Sequence, residues 1–317
     1  MTPGKEDIIE AAERIAGYIH HTPVLTSENI NNICGCSLYF KCENLQKAGA
    51  FKSRGASNAL LQLSEKEKEN GVITHSSGNH AGALARAAQN YGIKAYVIMP
   101  SNAPKVKVEA VKNYGGIIEF CEPTLQAREK NMKRVQQQTG ATEIHPYNNL
   151  KTITGQATAA KELIESLENP ADIIMAPVGG GGLLSGTALS VKYFSPGTRV
   201  IAGEPLGADD AYRSFQKKEL IPSVNPKTIA DGLLTSLGSI TFPIILENVH
   251  DILRVYDKTI VSAMKLIWER MKIVVEPSAA VPLAAVLENP EIFKKKTVGI
   301  ILSGGNLDLN NLPWQCD

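Results

Sequence analysis

Residues 173–184 run Ile-Ile-Met-Ala-Pro-Val-Gly-Gly-Gly-Gly-Leu-Leu. Ile173–Pro177 is apolar at adjacent positions, the pattern of a strand covered on both faces. Leu183–Tyr193 follows with the apolar spacing of a helix. Between them, Gly179, Gly180, Gly181 and Gly182 let successive backbone N–H groups turn toward one point with no side chain in the way. At a helix start such a cup suits an anion, phosphate above all; the same run would also serve as a flexible turn. It lacks the G-x-x-x-x-G-K-[ST] of a P-loop and a clean G-x-G-x-x-G with a following acid.

The same alternation extends in both directions. Strands are expected at Leu38–Cys42, Val72–His75, Ala95–Met99, Ile117–Phe120, Val200–Gly203 and Val298–Leu302. Helices are expected at Asn79–Tyr91, Pro104–Tyr114, Leu125–Gln138 and Ile153–Leu167, with Pro104 suited to a helix start and Gly92 and Gly115 to helix ends. Strand–helix repetition calls for a mainly parallel α/β sheet, because parallel neighbours need crossover connections. Ligands in such sheets sit at the carboxyl ends of strands, so the strand-to-helix loops are where chemistry is sought.

The 317 residues are long enough for two domains. Lys and Arg number 33 against 32 Asp and Glu, a balance that argues against nucleic acid or a membrane surface as partner. No apolar run reaches the ~18 residues of a membrane span. The acidic start MTPGKEDIIEAAERIAGYIHH lacks the features of a signal or transit peptide, and a cytoplasmic location is expected. Cys34, Cys36, Cys42, Cys121 and Cys316 are odd in number and lack zinc-ribbon spacing, so reduced thiols are expected.

Three further loops carry candidate chemistry. His75-Ser76-Ser77-Gly78-Asn79-His80 offers hydroxyls, an amide and N–H groups at a helix start, suited to a carboxylate or simply to an N-cap by Ser77 or Asn79. Ala48-Gly49-Ala50-Phe51-Lys52-Ser53-Arg54 sets one lysine among small and aromatic residues. Desolvation there would depress its pKa and make it a nucleophile or base; a solvated surface lysine is the plainer reading. Leu302-Ser303-Gly304-Gly305-Asn306 ends the last strand.

Taken together, these loops resemble the signature of fold-type II pyridoxal-phosphate (PLP) enzymes. The chain is similar to the serine/threonine dehydratase family and, within it, to the racemase group. The similarity runs from His21-Thr22-Pro23-Val24 through Phe51–Ala56, Ser76–His80 and Glu276-Pro277-Ser278-Ala279-Ala280 to Ser303–Asn306. It implies a tryptophan-synthase-β-like fold with a large domain of residues 1–70 and 149–317 and a small domain of residues 71–148. It also implies a homodimer.

By the family pattern, Lys52 holds PLP covalently and then serves as a base. Gly179, Gly180, Gly181, Gly182 and Leu183 bind its phosphate, Asn79 its 3′-oxygen, Phe51 its ring face and Ser303 its ring nitrogen. Ser76 and His80 meet the substrate carboxylate. Ser77, where biosynthetic dehydratases carry alanine, is the base on the opposite face. Glu204, Ala208 and Asp210 would hold Mg²⁺ or Ca²⁺; without the resemblance the same acids read as a favourable helix start.

The implied activity interconverts L- and D-serine, with β-elimination of serine to pyruvate and ammonia. The alternative is a lyase acting on threonine, serine or L-threo-3-hydroxyaspartate. Gly82 departs from the racemase group, which has a Gln there to help bind ATP, and so weighs against ATP as an effector. Tyr147 stands where that group has Asn and follows the dehydratases instead. Arg128 matches the racemases and could meet an acidic group.

Overall fold

The computed structural model describes residues 2–76, 78–103 and 105–314, except the side chains of Val106 and Leu125. Ten strands form among them: β1 Val24–Leu25, β2 Ser37–Cys42, β3 Val72–His75, β4 Ala95–Pro100, β5 Ile117–Cys121, β6 Thr142–Glu143, β7 Ile173–Pro177, β8 Arg199–Pro205, β9 Asp251–Val255 and β10 Thr297–Leu302. They build two sheets, ordered β1-β2-β10-β7-β8-β9 and β5-β4-β3-β6. Strand β1 runs antiparallel to β2, and every other strand pairing is parallel. The four strands of the second sheet all lie between β2 and β7 in sequence, so the chain leaves the first sheet, builds the second and returns.

The seven expected strands all form, as do the five expected helices, and Gly92 and Gly115 follow their helices with φ of 67° and 71°. The helix expected from Pro104 runs Lys105–Asn113; Pro104 lies outside the described residues. Strands β1 and β6 have only two residues each, too few for a periodic signal. Strand β9 carries charge at Asp251 and Arg254, which hides its apolar alternation.

The central strands of the larger sheet are buried on both faces. Ile173 and Met175 of β7 enter one apolar cluster with Val298, Ile300 and Leu302 of β10. Ile174, Ala176 and Ile301 enter another on the opposite face. Each large apolar side chain so removed from water stabilises the fold by ~1.5–3 kcal/mol.

One segment read as a loop is a helix, Lys52–Leu60. Its sequence, KSRGASNAL, is poor in helix formers, and tertiary burial outweighs that propensity: Ser53 to Leu60 are all buried. The packing is backbone against backbone. A Cβ on Gly155 would lie 2.7 Å from the Arg54 carbonyl oxygen, and one on Gly186 2.6 Å from the Ala157 nitrogen. Helices Lys52–Leu60, Leu150–Ser166 and Gly182–Phe194 are thereby drawn together. The first begins at Lys52 and the third at the last of the four glycines, so this packing sets the separation of amine and cup.

Behind Lys52, the fully buried Arg54 is held by charges. Its Nε and Nη2 each donate to Glu43 at 2.7 Å, and its Nη1 donates to Glu162 at 2.6 Å. Lys41 Nζ donates to Glu162 and to the Thr22 carbonyl, both at 2.6 Å. Two cations face two anions, and the helix start is anchored.

Candidate active site

Three of the four loops singled out in the sequence are bonded directly to one another. Ala50 bridges Gly304, the Phe51 N–H donates to the Ser303 carbonyl at 3.0 Å, and the Gly305 N–H donates to the Gly49 carbonyl at 2.9 Å. Asn306 Nδ2 donates to the Ala48 carbonyl at 2.7 Å and to Asn79 Oδ1 at 3.0 Å. Asn79 Nδ2 in turn donates to Glu276 Oε1 at 2.8 Å. Lysine loop, Ser/Asn loop and C-terminal Ser-Gly-Gly loop are thus tied into one hydrogen-bonded ring.

Lys52 Nζ donates to the Pro146 carbonyl at 2.8 Å and lies 5.0 Å from the centre of the Phe51 ring. Burial pulls its pKa down to about 8, only partly opposed by the Glu276 carboxylate. Its place in the first turn of a helix acts in the same direction as burial. Glu276 is buried, and that burial, with the Asp231 charge, pushes its carboxyl up to about 7. It precedes Pro277 at a helix start, where an acid would normally cap the helix; its side chain makes no cap hydrogen bond and turns to Asn79 instead.

The glycine cup is walled by atoms that leave no room for a Cβ. One on Gly179 would lie 2.9 Å from Leu233 Cα, one on Gly182 2.8 Å from Tyr147 Cβ, and one on Gly180 2.3 Å from Cδ1 of the Tyr147 ring. Gly181 has φ of 87°, the left-handed conformation that favours glycine.

The histidines of the site are neutral. His80 Nε2 lies 2.9 Å from the Ile144 carbonyl, so Nε2 carries the proton, and its buried Nδ1 lone pair has no partner. Burial, aided by the Lys52 charge, takes its pKa down to about 3. The ring therefore has no free N–H to offer, while the backbone N–H at this helix start remains available for a ligand. His75, Glu143 and His145 cluster closely enough to hold a metal ion. However, His145 Nδ1 accepts the Asn148 N–H at 2.8 Å and the Tyr147 N–H at 3.3 Å. Its proton is then on Nε2, neither nitrogen has a free lone pair, and the cluster is not a cation site.

Ser303 is buried at the end of β10, and Ser76 Oγ accepts the Gly78 N–H at 3.3 Å. Ser77 lies outside the described residues.

Residues 15–304 match the model of the pyridoxal-phosphate dependent enzyme family. The chain belongs to that family. It is 53% identical to a serine racemase of Dictyostelium discoideum, over 97% of this chain and 96% of that one. It is 50% identical to a beta-hydroxyaspartate dehydratase of Paracoccus denitrificans, over 98% and 99%. The solved structure of maize serine racemase superposes with a TM-score of 0.96 at 46% identity, covering 99% of this chain and 97% of that one. The chain is thus a PLP-dependent enzyme of fold type II.

A second polar cluster lies at the end of β8. Glu204 Oε1 accepts the Ala211 N–H at 2.8 Å and Oε2 the Tyr212 N–H at 2.7 Å, so it caps the helix Asp210–Lys217. Asp210 is buried beside it, and its Oδ2 has no partner. Burial first, then the neighbouring aspartates, pushes Glu204 up to about 9; burial pushes Asp210 up to about 6. Among the described residues neither makes an ion pair.

Four contributors to the site were given no role from the sequence: Glu276, Asn306, Pro146 and Tyr147. A signal for Glu276 was available, since Glu, unlike the shorter Asp, is not among the leading caps.

Proposed function

We propose that this PLP enzyme interconverts L- and D-serine and eliminates serine to pyruvate and ammonia. The carrying observation is the Lys52 amine, enclosed, held by the carbonyl of Pro146 next to the Tyr147 that packs on Gly180 and Gly182, and with its pKa depressed to about 8. PLP, when bound, supplies an electron-accepting ring conjugated to the substrate's amino nitrogen. The residues fit it. The cup offers backbone donors where a Cβ has no room, and Lys52 is poised to lose its proton. Asn79 has one N–H left for the 3′-oxygen after Glu276 and Asn306 have oriented its amide. Phe51 and Ser303 are the buried residues assigned to the ring face and ring nitrogen.

In the reading advanced here, neutral Lys52 Nζ removes the Cα proton of L-serine and holds it. Elimination needs no second base: the Cα–H and Cβ–O bonds break, hydroxide leaves with a proton as water, and hydrolysis yields pyruvate and ammonia. Racemisation needs a proton delivered to the opposite face, the role assigned to Ser77. Ser76 and the backbone N–H of His80 are assigned to the substrate carboxylate.

The proposal includes a divalent cation, Mg²⁺ or Ca²⁺, on Glu204, Ala208 and Asp210. One orphaned buried carboxylate oxygen, Asp210 Oδ2, supports it. It also includes the domain boundaries near residues 71 and 148, supported by the second sheet lying within residues 72–143. A cytoplasmic homodimer is inferred from the family resemblance. ATP is left out: position 82 is Gly, and a Cβ there would touch nothing within 4 Å.

Tyr147 and the 50% identical beta-hydroxyaspartate dehydratase favour a second reading, a lyase for 3-hydroxyaspartate. Chiral analysis of product from L-serine, with pyruvate release measured on L-serine and oxaloacetate release on L-threo-3-hydroxyaspartate, separates them. D-serine formation supports the first reading; pyruvate or oxaloacetate without D-serine supports the second.

A further inference from the structure

The Lys52 amine is met by a backbone carbonyl, that of Pro146, at 2.8 Å. A carbonyl points where its peptide plane points, so whatever fixes that plane fixes the acceptor. Pro146 has no N–H of its own to fasten the turn. The fastening comes from the side chain before it. His145 Nδ1 accepts the Tyr147 N–H at 3.3 Å and the Asn148 N–H at 2.8 Å. The Tyr147 N–H and the Pro146 carbonyl belong to one peptide group, which is trans, so they point opposite ways. His145 and Lys52 therefore hold the same plane from its two edges.

The ends of the turn are tied as well. The Thr152 hydroxyl donates to the His145 carbonyl at 3.2 Å, and Asn148 Oδ1 accepts the Ile240 N–H at 2.7 Å. Asn and Asp side chains commonly cap an amide two residues on in this way; here an imidazole nitrogen does so. Burial takes the His145 ring down to about 4, aided by the charges of His75 and Lys52, so its acceptor lone pair stays free of a proton at neutral pH.

We propose that His145 is a positioning residue for proton transfer at Cα: it holds the Pro146 carbonyl where the Lys52 amine meets it. The inference rests on the reading of Lys52 as the lysine that carries PLP and then acts as the base. A base must remain able to take a proton. An ammonium donates a stronger hydrogen bond than a neutral amine does, so a fixed carbonyl favours the protonated form. It thereby opposes burial, which favours the neutral one.

The test compares His145→Leu, His145→Gln and His145→Asn in the full-length protein. Asn sets an oxygen at the place of Nδ1, Gln sets it nearer the place of Nε2, and Leu has none. The first readout is the rate at which apo-enzyme captures PLP as a function of pH, whose midpoint reports the Lys52 amine without turnover. None of the three changes removes a charge there, because His145 is neutral, and Glu276 and His80, the other titratable groups that interact with Lys52, stay in place. His145→Leu and His145→Gln should lower the midpoint by about half a pH unit or more, a threefold change in the balance of the two forms. In the PLP-loaded enzyme they should cut kcat about tenfold or more, with KM within about threefold. His145→Asn should restore both readouts to near wild type. Circular dichroism checks that each variant folds, and if His145→Leu does not, Asn against Gln decides.

An unchanged midpoint in His145→Leu and His145→Gln overturns the proposal. So does a midpoint that rises toward the ~10.4 of a solvated lysine, since His145 would then act only by keeping water out. Equal defects in the Asn and Gln variants overturn the role of Nδ1. Borohydride reduction of wild type, followed by mapping of the labelled lysine, tests the underlying reading separately. PLP on another lysine removes that reading and this inference with it, whereas PLP on Lys52 leaves the three variants to decide.

Discussion

Two regions of this molecule bury charge, and they do so in opposite ways. Behind Lys52, Arg54 and Lys41 face Glu43 and Glu162, with Arg54, Lys41 and Glu43 fully enclosed. At the end of β8, Glu204 and Asp210 are equally buried but make no ion pair among the described residues, the nearby Arg213 and Arg254 being paired with Asp209, and one carboxylate oxygen has no partner. The first set holds Glu162 below the ordinary carboxylate range despite burial, because Arg54 and Lys41 are in contact with it. The second raises both its acids. Removing charge from water costs several kcal/mol per ion, and only a partner of opposite sign offsets it. The first region is complete as folded, whereas the second is short of positive charge. That difference is why the acidic pocket reads as a cation site and the Arg54 cluster as an anchor.

The largest expected effect breaks the complete cluster. Arg54→Leu leaves Glu43 unpaired and Glu162 with Lys41 alone, and should destabilise by about 3–5 kcal/mol. Urea unfolding measures it, and a loss under ~1 kcal/mol would mean that the cluster is not the anchor described.

Next comes the incomplete region. A cation that binds only the folded state at 100 times its Kd adds about 2.7 kcal/mol. Chelation should therefore lower Tm and activity, with Mg²⁺ or Ca²⁺ restoring both. Asp210→Asn should abolish that response while leaving the chelated protein as stable as wild type or more so, the reverse of Arg54→Leu. Equal destabilisation by the two substitutions would erase the contrast.

Lys52 tests the same physics on a single cation. Burial holds it at about 8, so its proton is lost as pH rises through that value. The neutral amine is the form that reacts with PLP. The rate at which apo-enzyme captures added PLP should rise about tenfold per pH unit below 8 and level off above it, where an ordinary lysine would keep rising to about 10.4. Stopped-flow absorbance follows the capture, and a plateau delayed to near 10 would show the amine to be solvated.

The smallest effect belongs to a pair left near the surface. Lys107 meets Asp231, whose side chain is about half exposed. Exposed pairs contribute about 0.2–1 kcal/mol. Exchanging the two residues should recover most of whatever either single reversal loses, read by thermal melting.

The strand–helix alternation, the two-faced burial of Ile173–Pro177 and the glycine cup were all legible in the sequence. These depend on residue type and local period, which a chain carries with it wherever it folds. Lys52 was legible as a candidate, but its activation was not, because desolvation depends on what packs around the amine. The helix it begins was hidden for the same reason: KSRGASNAL is weak by propensity and is held by burial. Glu276 and Asn306 could be assigned only from the fold, since they reach Asn79 across 197 and 227 residues of chain. The direction of the His80 ring, the place of Tyr147 on the cup and the missing charge at Asp210 are likewise contacts between distant segments. No local rule encodes them, because each is decided by which groups the packing of two sheets and three close helices leaves facing one another.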